Sequence, residues 1–130
     1  MSNQTPDLRP ATIAQAIQGM ALTFNPDRAK DLKASIQFHI TDKERGDWYL
    51  DIADGRCRCQ RGVIDKPSLT ITSSAQVWLA VARGDLKGSI GLMTGKYKAK
   101  GNMGLLLRMD SLFSRELTAE DIARQDWQED

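Results

Sequence analysis

The stretch Gly95–Phe113, GKYKAKGNMGLLLRMDSLF, changes its hydrophobic period part-way along, and that change sets the architecture. From Lys96 to Lys100 a lysine stands at every second position with Tyr97 and Ala99 between. A strand here presents three ammonium groups on one face and two less polar side chains on the other. Gly101 and Asn102 turn the chain. Beyond them Met103, Leu106, Leu107, Met109, Leu112 and Phe113 recur at helical spacing, with Arg108, Asp110 and Ser111 as polar relief. A strand with one polar face, leading straight into a broad apolar helix, implies a sheet whose other face is covered by helices.

The rest of the chain repeats that design. Ala34, Ile36, Phe38 and Ile40 alternate with Ser35, Gln37, His39 and Thr41, and Trp48, Leu50 and Ile52 alternate with Tyr49 and Asp51. Asp54-Gly55 supplies the positive φ angles that a type I′ hairpin needs. That turn pairs Ala53 with Arg56 and sets Ile52 against Cys57 and Leu50 against Cys59, so both cysteines join the apolar face and Arg56, Arg58 and Gln60 face outward. A fourth strand runs near 68–72, with Leu69 and Ile71 inward. Helices are expected from Pro10, with Ile13, Ala16, Ile17, Met20 and Ala21 on one face; from Asn25-Pro26 to about Leu32; and from Ser73 or Ser74 to about Arg83, ended by Gly84. A short segment, Leu86 to Met93, leads to the fifth strand, and Ala119, Ile122, Ala123 and Trp127 mark a last, narrow-striped helix after Thr118. Each strand keeps one polar face, so the expected fold is an α/β two-layer sandwich of five strands covered on one side. Residues 1–9 form a tail, 10–114 the domain and 115–130 a helical extension.

A chain of 130 residues is about one domain, large enough to bury a core without disulfides or metal. Lys+Arg 18 against Asp+Glu 17 leaves no global field to recruit nucleic acid, so the partner is neutral or amphipathic. No apolar run approaches a membrane span, and MSNQTPDLRP lacks the regions of a signal peptide, which points to the cytoplasm. Cys57 and Cys59 lie too far apart along a strand for an unstrained bridge and lack the further ligands of a zinc site, so both are free, core-facing thiols. No cofactor motif is present. The series Gly84, Gly88, Gly91 and Gly95 contains neither GxGxxG nor a GK[ST] ending.

The motif GK-K-K-GNMGLL followed by a basic residue, together with the earlier Gly84-Asp85-Leu86, resembles the sterol carrier protein type 2 domain, a family of intracellular lipid binders. The resemblance covers roughly residues 10–114 in the order of its elements. It implies a mixed sheet with the third and fifth strands at the edges, and an apolar tunnel between the sheet and its helices. Gly91-Leu92-Met93 stands where family members often carry Ala-Phe-Met, and Met103 to Met109 stands at the tunnel-side helix. The implied lipid-binding lining is Phe38, Trp48, Leu50 and Ile71 from the strands, with Trp78, Leu92, Met93, Met103, Leu106, Leu107 and Met109 from the helices. Methionine suits a wall that must repack around ligands of different shape. From spacing alone, the same stripe is ordinary core packed on a sheet.

No arrangement for catalysis emerges. His39 is the only histidine, on the polar face with no nucleophile motif beside it, and Asp42, Glu44 and Asp47 are interleaved with Lys43 and Arg45 in a hairpin turn. The sequence therefore points to non-catalytic lipid binding and transfer of a fatty acyl, phospholipid or sterol-like molecule. The rival is an interaction or dimerisation module with a filled core, docking through the stripe around Trp127. Lys96, Lys98 and Lys100 have two uses: transient contact with an anionic membrane, or protection of an edge strand against pairing. Edge protection is the simpler one.

Overall fold

The computed structural model describes residues 10–43 and 45–114; the tail, Glu44 and the extension from 115 onward, including the stripe around Trp127, lie outside the described residues. Strands β1 (Ala34–Ile40), β2 (Gly46–Ala53), β3 (Arg56–Arg61), β4 (Leu69–Ser73) and β5 (Lys98–Gly101) form one sheet in the order β3-β2-β1-β4-β5. Only β1 and β4 run parallel, which makes the sheet mixed with β3 and β5 at its edges, as the resemblance implies. The β2–β3 hairpin has the register read from Asp54-Gly55: φ is 55° and 73° at these residues, Ile52 opposes Cys57 and Leu50 opposes Cys59.

Along the inner face one row reads Arg61, Trp48, Phe38, Ile71 and Ala99 from edge to edge. Against this face pack α1 (Ile13–Leu22), α2 (Pro26–Ala29), α3 (Ala75–Arg83), α4 (Gly88–Met93) and α5 (Met103–Leu112). Ile13 and Ile17 of α1, Trp78 of α3, and Leu105 and Leu112 of α5 share one buried cluster with the inner strand residues. Each main helix starts on a side-chain cap: Thr12 accepts from Gln15 N, Ser74 from Val77 N and Asn102 from Leu105 N. Gly84, at φ 84°, ends α3 in the left-handed region.

Four expectations need correction. Helix α1 begins at Ile13 because Thr12, not the residue before Pro10, supplies the cap. Helix α2 stops at Ala29, where Lys30 turns to φ 54°. Strand β5 starts only at Lys98, since Tyr97 has left the ladder to fill the space beneath α4. The outer face is also not wholly open. To pass from edge strand β3 to β4 the chain must recross the sheet, and the 62–68 connection does so over Gln37 and Ser35, which are both buried. Gln37 Nε2 donates to Trp48 O (2.9 Å) and Gly62 O (3.0 Å), while its Oε1 accepts from Ile64 N (2.8 Å), so the crossover is held on the sheet by a satisfied buried amide.

Candidate functional site

A cavity of about 650 Å³ opens within the helical layer. Its walls are Ala16, Gly19 and Met20 of α1, Trp78 and Val81 of α3, Leu92 and Met93 of α4, and Leu106, Leu107 and Met109 of α5, closed at one side by Phe113. Of the sequence-derived lining, Trp78, Leu92, Met93, Leu106, Leu107 and Met109 border this space. Phe38, Trp48, Leu50 and Ile71 do not, being consumed in the core beneath, and Met103 lies exposed at the start of α5, off the wall. The cavity is thus walled by helices rather than shared between helices and sheet. Trp78 contributes to this, its ring lying 5.2 Å from Phe38 and 5.5 Å edge-on from Tyr97 and so covering Phe38 with aromatic surface. The α1 wall was missed because Met20 and Gly19 lie on an ordinary amphipathic helix; only the gap that α3 and α5 leave beside α1 exposes them.

Tyr97 is a buried polar side chain on the cavity wall. Its hydroxyl donates to Gly88 O at 2.8 Å, and its ring lies against Gly91, where a Cβ would come within 3.1 Å of Tyr97 Cε2. Glycine at 91 is therefore what lets the aromatic side chain pass under α4. Burial, helped by the charge of Asp110, pushes the Tyr97 phenol above its usual range. Asp110 is the only charged side chain on the wall, which carries no lysine, arginine or histidine among the described residues. The indole Nε1 of Trp78 is buried with no hydrogen-bond partner, a donor left unsatisfied at a cost of about 1–3 kcal/mol.

Elsewhere the titratable groups form no reactive constellation among the described residues. His39 Nδ1 lies 2.6 Å from Asp47 Oδ1 on the outer face, a cross-strand pair, and Asp42 Oδ1 accepts from Ala75 N at 2.8 Å, tying the β1–β2 turn to the start of α3. Asp42 and Asp47 are thus engaged rather than merely solvated. Cys57 and Cys59 are half-buried, and desolvation pushes both thiols up to about 12, which leaves them protonated and unreactive at neutral pH. No cluster of three metal-ligating side chains and no helix long and apolar enough to cross a membrane occurs among the described residues.

The profile of the SCP-2 sterol transfer family matches residues 15–114, which takes in the whole sheet, all of α3, α4 and α5, and α1 from Gln15 onward. The chain belongs to this family. This SCP-2 domain is 26% identical over 104 residues to hydroxysteroid dehydrogenase-like protein 2 of Xenopus tropicalis, covering 79% of this chain but 25% of that protein. The chain thus spans about a quarter of the length of the curated relatives it matches, and the dehydrogenase-like name belongs to the longer proteins. Among solved structures, palmitated SCP2L2 of Aedes aegypti shares the fold at TM-score 0.66 and 17% identity, over 82% of this chain and 99% of that one. The sec-alkylsulfatase Pisa1 from Pseudomonas contains the same SCP-2 fold, at TM-score 0.70 and 16% identity over 81% of this chain and 16% of its own. Family membership supports lipid binding or transfer as the general role of this SCP-2 domain.

Proposed function

We propose that this chain binds one long apolar molecule, a fatty acyl, phospholipid or sterol-like lipid, in the interhelical cavity and releases it unchanged. The observation that carries this is the cavity itself: about 650 Å³ walled by apolar side chains from four helices is the size of a small-molecule site, and a filled interaction module has no use for it. Its chemistry would be desolvation. Each buried methylene contributes about 0.8 kcal/mol, so a chain of about ten carbons offsets the entropic cost of capture. No catalytic step is required, and the unreactive thiols and the engaged His39 offer none.

The wall also constrains the polar end of the ligand. With Asp110 as the one charge on the wall and no cation there to meet a carboxylate among the described residues, the site favours a hydroxyl or ester end inside, or an acid whose carboxylate stays at the mouth in water. Titration with a fluorescent fatty acid, competed by fatty alcohols, acids and phospholipids, tests both points. Saturable binding with displacement by long-chain lipids supports the reading, and alcohols should compete better than acids of equal length. A signal that never saturates, or a probe that no lipid displaces, rejects the cavity as a lipid site. Native mass spectrometry of the purified protein gives a second measure, since co-purified lipid separates this function from a partner-docking role.

A further inference from the structure

Polar side chains on the cavity wall are mostly spent on backbone. Gln15 Oε1 accepts from Ala11 N at 2.9 Å, Thr23 Oγ1 donates to Met20 O at 3.0 Å, and the Tyr97 hydroxyl is held by Gly88 O. Asp110 is different. It is exposed, which places it at the cavity mouth, and among the described residues its carboxylate takes no hydrogen bond or ion pair. Its place on the wall follows from helical spacing, with Leu106 and Leu107 four and three residues before it, Phe113 three after, and all of them lining the cavity.

No nearby cation compensates this charge among the described residues. Arg108 is turned away, its Nη2 donating to Arg28 O at 3.2 Å, and Arg83, next to wall residue Ala82, donates to Pro10 O at 2.7 Å and lies 3.7 Å from Asp85. Lys87 and Lys96 precede wall residues Gly88 and Tyr97 without lining the cavity themselves. The carboxylate shares its space with aromatic rings instead. Trp78, Tyr97 and Phe113 all line the cavity, Trp78 and Tyr97 meet edge to face, and the charge of Asp110 is felt at the Tyr97 phenol.

A carboxylate at the mouth of an apolar cavity constrains what fills it. A neutral lipid covering Asp110 strips water from a charge and returns no partner, and a fatty acid adds a second negative charge. A protonated amine reverses both effects, since it pairs with the carboxylate and finds ring faces that attract ammonium groups. We infer that the cavity selects single-chain lipids ending in a protonated amine, with Asp110 as the acceptor of the head group. This rests on the lipid-binding reading and narrows its ligand class. Net charge does not supply the preference, because a chain at +1 draws no cation from a distance.

Displacement of a fluorescent fatty alcohol, an uncharged probe, by hexadecylamine, hexadecanol and hexadecanoic acid tests the inference, each competitor kept below its aggregation concentration. The amine should displace the probe at about tenfold lower concentration than the alcohol, and the acid should be the weakest. Asp110→Asn should bring amine and alcohol to within about twofold of each other, Asp110→Glu should keep the order, and Asp110→Lys should put the acid first. Equal displacement by amine and alcohol in the wild-type chain overturns the head-group role of Asp110 and leaves lipid binding in place. So does an amine preference that survives Asp110→Asn, or an acid that competes best, as Lys87 and Lys96 at the rim would dictate. If the probe never saturates the protein, or no long-chain compound displaces it, the lipid-binding reading fails and the amine selectivity falls with it.

Discussion

Gly91 has two jobs that one methyl group would disturb together. It lies in a short helix where alanine would add about 1 kcal/mol of propensity, but its Cβ would press on Tyr97 and Leu86 at 3.1 and 3.2 Å. The ring must then give by a few tenths of an ångström, and the open side is the cavity. Gly91→Ala should therefore change stability by less than about 1 kcal/mol while lowering probe affinity several-fold. Unchanged affinity would show that Tyr97 holds its place. The cysteines offer a pH test of burial. Both thiols are raised from 9.0 to about 12, so the native state holds their protons more tightly than the unfolded chain does. Their contribution is complete below pH 9 and is lost as pH rises toward 12, so the urea midpoint should fall across that window. Cys57→Val/Cys59→Val should flatten the decline; an equal decline would place its origin elsewhere, with Tyr97 the next group to examine.

At the scale of elements, α5 divides its faces between two tasks. Leu105 and Leu112 are buried in the core, whereas Met109, buried, and Leu106, half-buried, stand on the cavity wall and Leu107 is exposed at its rim. A tryptophan at 106 has space to enter only by occupying the ligand's volume. Leu106→Trp should weaken lipid binding at least about tenfold with little loss of stability, whereas overpacking a filled core would cost about 1–3 kcal/mol. Denaturation together with probe titration separates the two results. Strong destabilisation with affinity unchanged would return Leu106 to the core.

For the whole molecule, a cavity inside the helical layer leaves apolar surface that folding alone does not bury. A ligand that fits should therefore act as part of the core. At about 100 times its dissociation constant it should stabilise the native state by about 2.7 kcal/mol, read as a rise in the thermal midpoint that grows with lipid concentration. A midpoint unmoved by any long-chain lipid would mean that nothing tested binds the folded state preferentially.

Alternating side chains were enough to determine the strands, because a period of two leaves one solution for which face is buried, and Asp54-Gly55 fixed the β2–β3 register through its own backbone preference. The family was likewise legible in Gly95–Arg108, since a glycine turn, a lysine-striped strand and an apolar helix are specified locally. Which apolar residues are wall and which are core was not legible. Phe38 and Trp78 look alike in a sequence, yet Trp78 covers Phe38 and lines the cavity while Phe38, Leu50 and Ile71 are buried in the core, and α1 and α4 supply walls of their own. The crossover that buries Gln37 was equally hidden, because it depends on β4 returning beside β1. Periodicity assigns a side chain to a face; only the packing of elements distant in the chain decides whether that face meets another side chain, water or an open cavity.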